Sequence, residues 1–293
     1  MRQDLKFDVD RALFPFESKF VDSRGGARIH YVDEGQGPVV LMLHGNPTWS
    51  FLYRKMIARM RDHFRCVALD YPGFGLSTAP DGYDFLPSTH ADVLSEFVEA
   101  LDLTNFIVVM QDWGGPIGLA VAERHPKRVR GLVLGNTWGW PLAGNLEMET
   151  FSWLMGGPIG RTMARTFNGV WWFFMKEGFV ERPSEPEMAM YRAPFLDRAN
   201  RIQTAIFPRQ LVKAQAFEAE VEAGLSELAS KEVLFLWGTE DFAFKQPELK
   251  RFMTHFPNHE HHPLHASHFW QDDQGEVAAD HIIDWAKRRG WIG

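Results

Sequence analysis

Cysteine is almost missing from this chain of 293 residues; the single thiol, Cys66, sits in the apolar stretch 64–69. One cysteine excludes an internal disulfide and a cysteine-built metal knot, and its setting reads as a small buried hydrophobe. Long apolar runs are missing too. None approaches the roughly 18–20 residues that a membrane-spanning helix needs. The opening residues MRQDLKFDVD carry charge but no apolar core, so they read neither as an export signal nor as a twin-arginine leader. There is no basic run, and 31 Lys and Arg face 38 Asp and Glu for a net charge of −7. That balance argues against a polyanionic partner. The expectation from these absences is a cytoplasmic protein with neither nucleic acid nor membrane as partner. Tyrosine is scarce, at 5, beside 24 Phe and 11 Trp. Aromatic bulk without hydroxyls suits a core, and it also suits the wall of an apolar cavity.

What is present has a rhythm. Residues 27–33 (ARIHYVD) alternate like an antiparallel strand and are closed by Gly35 and Gly37. Short continuous apolar runs follow at 38–43, 64–69, 105–110, 129–134 and 233–237. Such runs mark strands buried on both faces, as in a parallel sheet. Stretches of helical period lie between them at 51–60, 89–101 and 113–124, and an amphipathic segment at 277–287 closes the chain. Strands alternating with helices imply βαβ units. The rhythm breaks between Thr137 and Leu211, where tryptophans 138, 140, 153, 171 and 172 gather with Phe, Met and Pro. We read this stretch as a helical insertion. The expected division is a core domain of residues 1–136 and 212–293, with a cap domain of residues 137–211.

In open parallel sheets, sites form at the carboxyl ends of strands. The most informative end is Ile107-Val-Val-Met-Gln-Asp-Trp-Gly-Gly115. An apolar strand runs into Asp112, and two glycines precede a helix. This is the strand–turn–helix context of a nucleophile elbow, with Asp where G-x-S-x-G has Ser. No G-x-S-x-G occurs in the chain. A carboxylate is ionised at neutral pH and can displace a good leaving group from saturated carbon. The alkyl ester so formed needs a general base and an oxyanion hole for its hydrolysis. The competing structural reading of Asp112 is a helix N-cap.

Four motifs then carry a resemblance. His44-Gly-Asn-Pro-Thr-Trp-Ser50, Asp70-Tyr-Pro-Gly-Phe-Gly-Leu-Ser77, Gln111-Asp-Trp-Gly-Gly115 and His265-Ala-Ser-His-Phe269 resemble the haloalkane dehalogenases of the α/β-hydrolase fold, over essentially the whole length. The resemblance implies an α/β architecture: a mostly parallel eight-stranded sheet flanked by helices, with a helical cap inserted. It implies hydrolysis of haloalkanes to alcohol, halide and proton, with no metal or organic cofactor. A small apolar haloalkane, a halide ion and water are the implied partners.

Residue by residue, Asp112 matches the nucleophile, His268 the base that activates water, and Asp241 the acid that orients the base. Asn46 and Trp113 match the halide ligands and, through their backbone N–H groups, the oxyanion hole. Some members carry an acidic residue at the position of Asn46 and take the second halide ligand from the cap. Trp113 can also be plain packing, and Asn46 a turn residue. Glu240 has the same chemistry as Asp241 one residue earlier. In other members the acid follows the earlier strand, which here ends at Gly135-Asn136-Thr137, and an amide cannot serve. Met110 stands two residues before the nucleophile, where small residues are usual. The motif at Asp70–Ser77 reads as a structural turn. The crowd of His259, His261, His262, His265 and His268 also admits a metal reading, but with irregular spacing. Phe151, Phe173, Phe174, Phe195 and Pro208 are candidates for the cavity lining.

Three other functions compete. Epoxide hydrolysis shares the Asp-Trp-Gly-Gly turn but uses cap tyrosines as acid, and the insertion has one, Tyr191. Fluoroacetate dehalogenation commonly needs an Arg beside the nucleophile, where Trp113 stands. A non-catalytic binding protein on the same scaffold is the reading from another class.

Overall fold

The computed structural model describes residues 5–293. Eight strands form one sheet: β1 (Lys19–Asp22), β2 (Arg28–Glu34), β3 (Val39–Leu43), β4 (Arg65–Leu69), β5 (Phe106–Gln111), β6 (Val129–Gly135), β7 (Glu232–Gly238) and β8 (His259–Leu264). Their spatial order is β1-β2-β4-β3-β5-β6-β7-β8. Only β2 runs against its neighbours; every other pairing is parallel. The expected α/β class, with a mostly parallel sheet of eight strands, is what the chain adopts.

The central strands β3, β5, β6 and β7 are the continuous apolar runs, and nearly all their residues are buried. Covering both faces of a parallel sheet removes the alternation that a half-exposed strand would show. Two strands escape the pattern. β1 has four residues, too few to show a period. β8 reads HEHHPL, and it holds as an edge strand, where its Pro263 costs no ladder hydrogen bond inside the sheet.

The helices are α1 (Arg54–Met60), α2 (Pro87–Ala100), α3 (Gly114–Arg124), α4 (Leu146–Gly156), α5 (Pro158–Phe167), α6 (Gly169–Glu177), α7 (Glu185–Arg192), α8 (Ile202–Lys213), α9 (Gln215–Leu228), α10 (Gln246–His255), α11 (Trp270–Asp273) and α12 (Gly275–Arg288). α2 packs on α3, α3 on α9, and α1 on α12. Helices α4–α8 all fall between β6 and β7. There α8 packs against α4, α5 and α6, while α9 returns to the core at α3.

Local chemistry starts several of these helices. Asn145 caps α4 through its side chain, which accepts the N–H groups of Glu147 and Met148. Ser184 and Glu187 form a capping box on α7. Pro208 lies inside α8, where it removes one helical N–H donor. Among the described residues no helix is long and apolar enough to cross a membrane.

Candidate active site

β5 delivers Asp112 to the carboxyl edge of the sheet, and the backbone there turns sharply. Asp112 has φ = 50°, in the left-handed region that L-residues avoid. The surroundings hold it there. Its N–H donates to the Asn136 carbonyl at 3.1 Å, and its carbonyl accepts the Thr137 hydroxyl at 2.7 Å. A strained backbone persists only where neighbours over-determine it. Two glycines give the room. A Cβ on Gly45 would collide with the Asp112 carboxylate, and one on Gly115 with Thr137 Oγ1. Met110 is accommodated for a similar reason. Its sulfur lies against α3 at Gly118, where a Cβ would approach within 2.6 Å.

The loop after β3 brings Asn46 against the same carboxylate. Its backbone N–H donates to Asp112 Oδ1 at 2.7 Å. The side chains of Asn46 and Trp113 both line the cavity above Asp112. The Trp113 ring rests edge-on against Trp138 (4.7 Å between centroids) and Phe207 (5.2 Å). Trp138 in turn donates its indole N–H to Glu218 at 3.1 Å.

The residues expected as base and acid, His268 and Asp241, come from the loops after β8 and β7. His268 is fully buried, with Nε2 3.5 Å from Asp112 Oδ2 and Nδ1 3.1 Å from Asp241 Oδ2. Burial alone would lower the pKa of this imidazole. The charges of Asp241 and Asp112 on either side overcome that and hold it at about 10. Asp241 is fixed by the N–H groups of Ala243 (2.8 Å) and Phe244 (3.3 Å). Glu240 points elsewhere: it is exposed and accepts the Thr239 hydroxyl. Asn136 spans the ends of β6 and β7, donating to the Gly238 and Phe244 carbonyls and accepting the Gly238 N–H. An amide that both donates and accepts suits that bridge; a carboxylate would not.

A cavity partly open to solvent lies between these residues and the cap. Of the expected lining, Phe151, Phe174 and Pro208 face it. Phe173 and Phe195 require correction. Phe173 sits one layer out, against Phe151, Phe174 and Phe242. Phe195 is buried between the cap and the 70–77 turn, edge-on to Phe74. The sequence reading missed Met148, Leu211, Phe242 and Phe244, which also face the cavity. It missed Gln111 as well. The Gln111 amide nitrogen lies 3.0 Å from His268 Nε2 and 3.1 Å from the His268 carbonyl. Its place was the available signal: Gln111 is the last residue of β5, directly before Asp112.

The remaining residues sort by geometry. Asp70 is buried and accepts His30, the Ser50 N–H and the Leu76 N–H (2.7–2.9 Å), which ties the 70–77 turn to β2 and to the segment at Ser50. The crowded histidines diverge. His262 stacks on His281 at 4.1 Å, His265 is exposed, and no three His, Cys, Asp or Glu side chains converge on a metal-sized site among the described residues. Tyr191 is fully buried away from the cavity, where its hydroxyl donates to Asp272 at 2.5 Å.

Comparison with known proteins agrees with this architecture. Residues 38–274 match the model of the alpha/beta hydrolase fold family. The chain is 44% identical over 287 residues to haloalkane dehalogenase 2 of Mycobacterium tuberculosis, covering 96% of this chain and 98% of that one. It is 32% identical to a cis-3-alkyl-4-alkyloxetan-2-one decarboxylase of Shewanella oneidensis, covering 92% of this chain and 88% of that one. Among solved structures, a haloalkane dehalogenase of Agrobacterium tumefaciens C58 superposes with a TM-score of 0.85 at 26% identity, over 96% of this chain and 99% of that one. A strand–turn–helix with Asp112 at its tip, an extent shared from end to end and these likenesses place the chain in the haloalkane dehalogenase family of the α/β-hydrolase fold.

Proposed function

We propose that this chain hydrolyses the carbon–halogen bond of small, uncharged haloalkanes, with Asp112 as nucleophile, His268 as base, Asp241 as its acid partner, and Asn46 and Trp113 as halide ligands. The single observation that carries the reading is the order Asp112–His268–Asp241 around one buried imidazole, at 3.5 and 3.1 Å.

A substrate in the cavity meets a carboxylate oxygen of Asp112 on the side of carbon opposite the halogen. An oxygen–carbon bond forms, the carbon–halogen bond breaks, and the halide leaves with the electron pair. The indole N–H of Trp113 and the amide of Asn46 are donors suited to receive it. The product is an alkyl ester of Asp112 and free halide.

Esterification removes the Asp112 charge. The pKa of His268 then loses one of the two anions that raise it, so the ring gives its extra proton to solvent and stands neutral, able to accept a proton, when water must be activated. Asp241 keeps Nδ1 protonated, so Nε2 is the basic nitrogen. Water adds to the ester carbonyl as His268 takes its proton. The Asn46 N–H, already on Asp112 Oδ1, and the Trp113 N–H at the start of α3 hold the oxyanion. The alcohol leaves with the proton from His268. The acid left at Asp112 gives its proton to His268, whose ring regains its resting charge. The sum is haloalkane plus water to alcohol, halide and proton.

Residues 1–136 with 212–293 serve as the core that carries this machinery, and 137–211 as the cap that walls the cavity. α8, which supplies Pro208, runs two residues past that boundary. An epoxide would need an acid from the cap. Tyr191 is committed to Asp272 outside the cavity, which disfavours that alternative.

The test is halide and alcohol release from terminal bromo- and iodoalkanes, with Asp112→Ala as control. Equimolar release well above the control is expected. Release equal to the control would overturn the reading and direct the same assay to epoxides and to oxetan-2-ones, the class named for the Shewanella relative.

A further inference from the structure

The cavity above Asp112 opens toward solvent on one side. Of the residues that line it, Glu147 is exposed and Phe151, Phe242 and Ala243 are half-buried, whereas the others are buried. These four mark a mouth between the first two turns of α4, on the cap, and the loop after Asp241, on the core. A charge pair spans it. Lys245, directly before α10, donates from Nζ to Glu147 Oε1 at 2.8 Å. That bond is the largest influence holding the Lys245 ammonium above its usual range.

The cap is held differently at α7. There Arg54 of α1 donates to Glu187 at 2.6 Å and Tyr191 donates to Asp272 at 2.5 Å, and Arg54, Tyr191 and Asp272 are all buried. Removing a partner from such a cluster strands a buried charge. At the mouth both partners stand in water: the Lys245 side chain is 49% exposed and that of Glu147 65%. An exposed pair shifts an equilibrium by no more than about fivefold. A tie that weak opens and recloses readily, which suits a gate and not a clamp. Lys245 also separates like charges. Without its ammonium, the carboxylates of Glu147, Glu248 and Asp241 would repel one another across the mouth.

We propose that Glu147 and Lys245 form the gate of this cavity and that their charges select what passes it. For its substrates the inference rests on the haloalkane reading given above. Closed, the pair narrows the mouth; open, it leaves an apolar passage between Phe151 and Phe242. The pair re-forms once the ligand is inside, so it slows entry and exit alike and leaves the affinity unchanged. Paired, the two charges cancel for an incoming molecule. With one partner neutralised, the survivor presents a bare charge: a free Lys245 favours an anionic substrate, and a free Glu147 repels it.

The test reads transit without chemistry. In Asp112→Ala protein, 1-bromohexane that enters the cavity sets its bromine near the Trp113 indole and quenches the fluorescence, and stopped flow gives the entry and exit rates. Trp113→Phe in the same background should remove the signal. Glu147→Gln and Lys245→Met keep the size of each side chain and remove its charge. Each should raise both rates about two- to fivefold with the dissociation constant unchanged. The double variant should be no faster than the quicker single one, and about 1 M salt should speed the parent more than the variants. With Asp112 in place, the ratio of kcat/KM for 6-bromohexanoate to that for 1-bromohexane should rise in Glu147→Gln and fall in Lys245→Met. Entry rates unchanged in both single variants, or effects that multiply in the double one, would overturn the gate. A ratio that moves the same way in both would overturn selection by charge. A wild type that releases no halide would sink the haloalkane reading instead, and the quenching rates would still decide the gate.

Discussion

Two aromatic neighbours on α6 show how differently the core and the cap are encoded. Phe174 is buried and sits 5.5 Å, ring to ring, from His268; Trp172, two positions earlier, is half exposed. Both are large apolar residues on one short helix, and nothing in their identity says which one faces the site. At the strand ends, by contrast, each polar residue has one place. Asp112 is held by backbone hydrogen bonds, Asp241 by two N–H groups, and His268 lies between their carboxylates. Directional groups specify a geometry, whereas apolar bulk specifies only burial.

If that contrast is right, the largest effects must come from the directional set. Asp112→Ala should reduce halide release about ten-thousandfold or more, to the level of buffer without enzyme. Asp241→Asn should cost about a thousandfold or more by releasing the wrong tautomer of His268, while Glu240→Gln leaves the rate unchanged; kcat/KM on one bromoalkane checks both. Equal losses for the two would mean that the acid has been misassigned. Trp113→Phe removes only an N–H donor, and the expected loss is about a hundredfold in the displacement step, read as the halide burst in a single turnover.

The cap should respond through packing. Phe174→Ala is expected to cost about 3–5 kcal/mol in denaturant unfolding, and Trp172→Ala less than about 0.5 kcal/mol. Comparable costs would break the contrast between the two sides of α6.

The smallest effect is a pH dependence at Glu218. Burial lifts this carboxyl to about 8 from its usual 4.5, so the unfolded chain gives up the proton first. The stability present below about 4.5 is then lost as pH rises through about 8. Glu218→Gln keeps the neutral shape, so its melting temperature should exceed that of the wild type above about pH 8 and match it near about pH 5. An unchanged difference across that range would show that Glu218 is not buried as a charge.

The same contrast explains what could be read from the chain alone. Continuous apolar runs gave away β3 to β7 and hence the parallel sheet, because strands covered on both faces have little room for polar residues. β1 was too short and β8 too polar to announce themselves. The elbow was legible because a strand that turns sharply into a helix needs small residues there, and Gly114 and Gly115 stand where a Cβ would collide with Leu43 and Thr137. The lining was legible only by class: Phe151, Phe174 and Pro208 reach the cavity, while Phe173 and Phe195 pack one layer away. Phe242 and Phe244 lie in the loop that carries Asp241, where no helix or strand period marks which side chain turns inward. Which apolar side chain turns inward depends on the fit of the helices to one another, and a periodicity carries no record of that fit.

The central claim is that carbon becomes bonded to Asp112 before water arrives. A single turnover of a bromoalkane by excess wild-type enzyme in heavy-oxygen water, followed by mass spectrometry of the peptide that contains Asp112, tests it most directly. Attack of water on the ester carbonyl must leave one heavy oxygen in the Asp112 carboxylate and none in the first alcohol released. Heavy oxygen in the alcohol and an unlabelled Asp112 would mean that water displaces the halide itself, and would contradict the account.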